Sequence, residues 1–286
     1  MEEQGFTVHI PASLEAIFRT SRELHESGQL RAVVAAGGDG TAAMLANELP
    51  HNFPLCILPL GTENLLAKFL ELKADPKELC ELISDGLYAD LDVGKANGKY
   101  FLVMCSCGFD ADVVQRLHSA RKGHINHWSY AKPIINAIRR YRYPKLRIQL
   151  DGSEELIKSK WAFIFNVPRY AMNLPIVEDA DSMDGRLDLC SFRGGRLARG
   201  LVYLAGVIFR QHRRWQDTHY AKFRKLTIDS DEPVPYQLDG DPGGELPLTI
   251  EVVPGFLRVI VGRSWLRKNV PESLMKEASK KTSLES

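Results

Sequence analysis

Val33-Val34-Ala35-Ala36-Gly37-Gly38-Asp39-Gly40-Thr41 is the most informative segment of the chain. A short apolar run enters Gly37, Gly38 and Gly40, with an acid at 39 and a hydroxyl at 41. An amphipathic segment follows at once through Ala42, Ala43, Leu45, Ala46 and Leu49. Strand, glycine turn and helix together present backbone N–H groups and a helix N-terminus to an anion. Glycine has no Cβ to hold a phosphate away. The pattern is neither G-x-x-x-x-G-K-[ST], since no lysine follows, nor G-x-G-x-x-G. By itself it is open between a phosphate loop and a tight strand-to-helix turn.

A second punctuation mark narrows that choice. Cys56-Ile57-Leu58-Pro59-Leu60-Gly61-Thr62-Glu63-Asn64 repeats the design, and Leu65, Leu66, Phe69 and Leu70 continue it as a helix. Two such turns would sit side by side at the carboxyl edge of a parallel sheet, where open α/β sheets bind ligands. The pairing of G-G-D-G-T with P-L-G-T-x-N resembles the diacylglycerol kinase catalytic-domain family, which includes bacterial lipid kinases and sphingosine kinases. The resemblance implies an α/β Rossmann-like nucleotide-binding domain of the NAD kinase/diacylglycerol kinase type, plus a mostly antiparallel β-sandwich domain. It implies ATP and Mg²⁺ as cofactors, with Ser13, Gly37, Gly38, Asp39, Gly40, Thr41, Thr62 and Asn64 around the nucleotide. For Ser13 the plain alternative is a helix N-cap.

The totals bound the rest. A chain of 286 residues, 44% hydrophobic, can bury a large core and has room for two domains. A formal charge of +1 argues against a general nucleic-acid binder. Cys56, Cys80, Cys105, Cys107 and Cys190 lie mostly in apolar runs without C-x-x-C spacing, which reads as reduced thiols in a cytoplasmic protein. No apolar run approaches a membrane span and no signal peptide is evident, so any membrane contact is expected to be peripheral.

Along the chain, residues 6–10 read as a strand, 13–27 as an amphipathic helix, and 75–85 as a helix opened by Asp75-Pro76. Family members usually start one strand earlier; here Met1 falls in the helix that normally follows it, so either the start is misassigned, the chain is trimmed, or that first strand is lacking. From about residue 89 the texture changes: Asp90–Gly94 and Tyr100–Cys105 pair through a turn at Asn97-Gly98, and 145–151, 161–166, 186–192, 224–229, 247–253 and 256–262 are strand-like. The expected division is an ATP-binding domain over 1–88 and a β-rich lipid-substrate domain over 89–262, with 263–286 returning to the first.

Gly108-Phe109-Asp110-Ala111-Asp112-Val113 opens a helix. By resemblance Asp110 or Asp112 meets the substrate hydroxyl; the plain alternative is carboxylates favoured by the helix dipole. Asp181-Ser182-Met183-Asp184-Gly185-Arg186-Leu187-Asp188 resembles the family's D-G-x-L-D turn. That resemblance implies Mg²⁺ held by Asp184 and by the carbonyls of Asp181 and Arg186, against a metal-free Asp-Gly hairpin. Tyr236-Gln237-Leu238-Asp239-Gly240-Asp241-Pro242 matches the family's D-G-E segment with Asp at 241 where most relatives carry Glu. Asp241 and Asp39 are the candidate base or metal-binding carboxylates.

Residues 116–147 hold Arg116, Arg121, Lys122, Lys132, Arg139, Arg140, Arg142, Lys145 and Arg147 without an acid, interleaved with Trp128, Tyr130, Tyr141 and Tyr143. Arg193, Arg196, Arg199, Arg210, Arg213 and Arg214, with Phe209 and Trp215, form a second group. Such composition suits anionic lipid headgroups, or else two solvated helix faces; nucleic acid is the weaker rival.

The expectation is an ATP-dependent lipid kinase acting on diacylglycerol or a sphingoid base at a membrane surface, in lipid metabolism, with homodimerisation left open. Two rivals stand: a kinase of a soluble hydroxyl compound such as NAD, and a catalytically weak lipid-binding or regulatory protein. The second is suggested by Ala43, Met44 and Leu65, which depart from the family's acidic and amide positions.

Overall fold

A computed structural model describes residues 2, 5–120, 141–170 and 174–270. Helix α1 (Leu14–Glu26) leads to β1 (Val33–Gly37), α2 (Asp39–Glu48), β2 (Leu55–Pro59), α3 (Leu65–Phe69) and α4 (Pro76–Asp85). β1 and β2 pair in parallel from Val33↔Leu55 to Gly37↔Pro59, which brings both glycine turns to the same sheet edge. Ala42, Leu45 and Ala46 of α2 and Leu66 and Ala67 of α3 are buried in the main core. α4 starts at the Asp75 cap, whose carboxylate accepts from Lys77 N, and stops at Gly86 in the left-handed region.

The expected strand at 6–10 is not formed. The segment runs as irregular chain with Val8 and Ile10 exposed, while Phe6 packs on Cys56, Ile83 and Ile260. Its alternation lacked what makes a strand, a ladder partner for its backbone.

β3 (Tyr88–Ala96) turns at Asn97-Gly98 into β4 (Lys99–Phe101); both turn residues have φ > 0, at 45° and 91°. β5 (Met104–Cys107) and α5 (Phe109–Ala120) follow. The remaining elements are β6 (Leu146–Leu150), β7 (Ile157–Ser159), β8 (Trp161–Phe165), β9 (Leu187–Phe192), α6 (Leu197–Ile208), β10 (Thr218–Phe223), β11 (Lys225–Asp229), β12 (Pro235–Leu238), β13 (Asp241–Glu245), β14 (Leu248–Ile260) and α7 (Arg263–Asn269).

One sheet has the order β1-β2-β14-β11-β6-β7, with β3 pairing β14 and β4 pairing β3. The other runs β10-β9-β8-β5-β12-β13. Ile148, Ile228 and Ile250 from the first pack with Cys105, Ile164 and Leu189 from the second, so the two sheets close as a sandwich. The fold is therefore the α/β domain plus antiparallel β-sandwich that the resemblance implies.

β14 joins the halves. Two strands were expected at 247–253 and 256–262; one strand runs throughout, with a register shift between Val253 and Leu257 around Gly255 (φ 59°). Its first part pairs β11, and Val259 pairs Leu55 of β2 in parallel. Asp92 fixes the bend: its buried carboxylate accepts from Gly255 N and Gly185 N, and burial raises its pKa. After β14, α7 returns to the first domain, where Trp265 is buried and donates to Phe69 O. None of the five cysteines is in a disulfide; Cys80 is half-buried and the others are buried.

Candidate active site

The two glycine turns touch backbone to backbone. A Cβ on Gly61 would lie 2.6 Å from Gly38 Cα and 3.1 Å from Gly38 N. Leu60 N donates to Gly37 O at 2.9 Å. Any side chain at Gly61 would drive the turns apart, which is why the second turn needs glycine there.

Asp39 ties them further. Its carboxylate accepts from Leu65 N (2.8 Å) and Leu66 N (2.9 Å), satisfying two free amides at the start of α3. Asn64, in the left-handed region at φ 49°, grips Gly61 from both sides: it accepts from Gly61 N and donates to Gly61 O. Thr41 lays its hydroxyl over Gly37, and Thr62 is exposed at the mouth. Ser13 caps α1 through Ala16 N, and no hydrogen bond among the described residues links it to the glycine turns. Leu65, Ala43 and Met44 pack against the main core, so these departures from the family pattern are apolar contacts here.

The Asp239-Gly240-Asp241 turn faces these loops. Asp239, at φ 50°, accepts from Leu102 N (2.7 Å), Val103 N (2.9 Å) and Met104 N (2.9 Å). Burial pushes its carboxyl up to about 6 against those three donors, and the charge of Asp39 adds to the rise. Asp241 is different. Its side chain is more than half exposed, and Oδ2 lies 3.4 Å from where a Cβ on Gly40 would stand. His118 Nδ1 of α5 is 3.9 Å from its other oxygen. The sequence reading placed Asp241 at the site but missed Asp239 and His118; the left-handed Asp-Gly turn was the available signal for Asp239, while His118 carried none.

At the start of α5, Asp110 accepts from Tyr170 Oη and Ser106 Oγ, each at 2.5 Å. Gln237 donates to Ser106 Oγ and accepts from Gly240 N, connecting this cluster to the Asp241 turn. Burial holds the Tyr170 phenol well above its usual range, so it remains a donor. Asp112 instead forms a two-point ion pair with Arg116 on its own helix.

The Asp181–Arg186 turn leads into β9, of which Asp188 is the second residue. Asp184 accepts from Arg186 N and, at 2.8 Å, from Lys222 Nζ; Lys222 also reaches Asp188, whose carboxyl burial raises to about 6. The Ser182 hydroxyl is buried without a partner. Among the described residues no group of three His, Cys, Asp or Glu side chains could hold a metal. The chemistry of oxygen donors is the kind Mg²⁺ prefers, but both oxygens of Asp184 are engaged by Arg186 N and Lys222 Nζ, so a cation here would compete with Lys222. Arg121, Lys122, Trp128, Tyr130, Lys132, Arg139 and Arg140 of the first basic group lie outside the described residues. So does the tail beyond 270. Arg147 is bound to Asp229 and Asp231.

Comparison with known proteins agrees with this arrangement. Residues 103–261 match the family model of the YegS C-terminal NAD kinase beta sandwich-like domain, and residues 2–96 match the diacylglycerol kinase catalytic domain. A diacylglycerol kinase of Staphylococcus carnosus (strain TM300) is 26% identical over 259 residues, covering 86% of this chain and 82% of the relative. A diacylglycerol kinase of Staphylococcus aureus (strain JH9) is 26% identical over 237 residues, covering 82% and 74%. The crystal structure of a candidate diacylglycerol kinase from Bacillus anthracis str. Sterne superposes with a TM-score of 0.68 at 21% identity, covering 89% and 85%, and so shares the fold. With both halves matched in order and the paired glycine turns, acidic turn and sandwich in place, this chain belongs to the diacylglycerol kinase catalytic-domain family of phosphotransferases.

Proposed function

We propose that the protein transfers the γ-phosphate of ATP to a lipid hydroxyl, diacylglycerol foremost. The observation that carries this is the approach of the solvent-accessible Asp241 carboxylate to Gly40, at the mouth of two fused glycine turns. The N–H groups of Gly38, Asp39 and Gly40 at the start of α2, with the hydroxyls of Thr41 and Thr62, are suited to phosphate oxygens. Asp39 spends both oxygens on α3 and thereby holds the turns in register, acting as a positioning residue.

Asp241 is the group suited to accept the substrate's hydroxyl proton, since its carboxylate is more than half exposed while that of Asp239 is turned onto three backbone amides. Asp110, steadied by Tyr170 and Ser106, receives a hydroxyl of the substrate head. Mg²⁺, when bound, offsets charge on the phosphates, for which the carboxylate of Asp241 is the available protein ligand. Asp184, with the carbonyls of Asp181 and Arg186, is proposed as a second, structural cation site.

The test is ³²P transfer from ATP to mixed-micelle diacylglycerol, sphingoid base or NAD, with Mg²⁺ and with EDTA. Mg²⁺-dependent label in diacylglycerol supports the assignment. Label in NAD alone, or none in any acceptor, overturns it.

A further inference from the structure

Helix α6 turns an apolar face to solvent. Residues 200–209 read Gly-Leu-Val-Tyr-Leu-Ala-Gly-Val-Ile-Phe, without a charge. The inner side is fully engaged: Gly200 lies on Trp161, Gly206 on Trp215, Tyr203 stacks 4.4 Å from Phe192, and Val207 is buried. The outer side carries Leu201 (60% exposed), Val202, Leu204, Ile208 (53%) and Phe209 (72%). A helix with a packed inner face has no use within its own core for a second apolar stripe, and contiguous exposed apolar surface marks an interaction site.

The charges around it choose the occupant. Residues 189–216 contain no acid and hold Arg193, Arg196, Arg199, Arg210, Arg213 and Arg214. Arg199 pairs with Asp217, Arg210 with Glu178 and Arg213 with Asp179. Arg193, Arg196 and Arg214 are exposed and make no ion pair among the described residues. An apolar stripe bracketed by unpaired arginines at both ends is the pattern of a helix lying in the interface of an anionic bilayer.

The patch also leads to the candidate site. From Tyr203 under the helix, aromatic rings continue through Phe192 and Phe163 (6.2 Å) to Tyr170 (6.0 Å), whose hydroxyl holds Asp110.

We infer that α6 with Phe209 is a membrane-docking element that inserts its Leu201–Phe209 face among anionic phospholipids and sets Asp110 toward the bilayer. The inference rests on the lipid-kinase reading but is tested apart from it. The full chain is co-sedimented with phosphatidylcholine vesicles with and without phosphatidylglycerol, as wild type and as Leu201→Gln/Ile208→Gln, Phe209→Ser and Arg196→Gln/Arg214→Gln. These side chains are exposed and glutamine is a good helix former, so melting temperatures should be unchanged.

Wild type is expected to bind phosphatidylglycerol vesicles, the apolar variants about tenfold or more weakly in any salt, and the arginine variant weakly only at low salt. Transfer to a monomeric short-chain diacylglycerol should stay at wild-type level in all of them. Unchanged vesicle binding by the apolar variants overturns the inference. So does a wild-type dimer that those variants dissociate, without vesicle binding, since the patch would then pair copies of the chain. Vesicle binding that depends on α6, with no transfer to any lipid, would retain the docking surface and reject the kinase.

Discussion

Gly61→Ala tests whether the two glycine turns work as one unit. Backbone torsion does not forbid alanine there; the obstacle is space. The new methyl would stand 2.6 Å from Gly38 Cα and 2.7 Å from Asn64 Oδ1, where carbon contacts normally sit near ~3.5–4.0 Å. Asn64 can rotate away, but Gly38 is backbone, so the turns must separate by roughly 1 Å. Overpacking of this kind costs about 1–3 kcal/mol, and weakening the Leu60–Gly37 hydrogen bond adds about 1 kcal/mol. At about 2–4 °C per kcal/mol for a chain near this size, calorimetry should show a melting temperature lower by about 5–10 °C. A displacement of ~1 Å in phosphate-holding groups should also lower kcat/KM about 100-fold. Gly40→Ala is the counterpart. Its methyl meets only Asp241 Oδ2, at 3.4 Å, and alanine is favoured in α2 by about 1 kcal/mol, so the fold should hold while transfer falls. A Gly61→Ala protein with wild-type melting and turnover would refute the close approach of the turns.

The remaining predictions concern charge. Asp239 has a folded pKa near 6 against 3.8 for a free carboxyl, so its contribution to stability is full below about pH 4 and lost as pH rises through 6, about 3 kcal/mol in all. Urea titrations across that range should show Asp239→Asn missing this part of the slope; parallel pH profiles would remove the assignment. Asp110→Asn should raise KM for diacylglycerol about tenfold with the KM for ATP unchanged, while Asp112→Asn, which keeps a polar group of the same shape in a one-turn helical ion pair whose Arg116 end is exposed, should alter stability by about 1 kcal/mol or less. Equal effects of the two on lipid KM would count against Asp110 as the contact. Lys222→Met should enlarge the melting shift produced by Mg²⁺, and Asp184→Ala should abolish it; a shift insensitive to both places no cation at that turn.

Particular residues show where the reading of the sequence succeeded. Gly37–Thr41 and Gly61–Asn64 were legible because strand, glycine and helix signals are local, and chain direction alone sends both turns to one sheet edge. The Asn97-Gly98 turn was legible because it demands two positive φ values. Residues 6–10 misled because alternation registers apolar spacing and not whether a ladder partner exists. The single bent strand β14 was read as two because Pro254-Gly255 looks like a break, and only its neighbours β11, β3 and β2 make it continuous.

The sequence by itself determined the fold class, the order of the motifs and the list of acids from which a site could be built. Tertiary structure alone decided what each acid does. Asp39 is consumed by the amides of α3, Asp239 by those of β5 and the residues before it, and Asp112 by Arg116, while the carboxylate of Asp241 stays more than half exposed over Gly40, with only His118 beside it at 3.9 Å among the described residues. A carboxylate's role depends on which donors surround it and how much water remains, and for Asp239 those donors are the amides of Leu102, Val103 and Met104, 135 to 137 residues away along the chain.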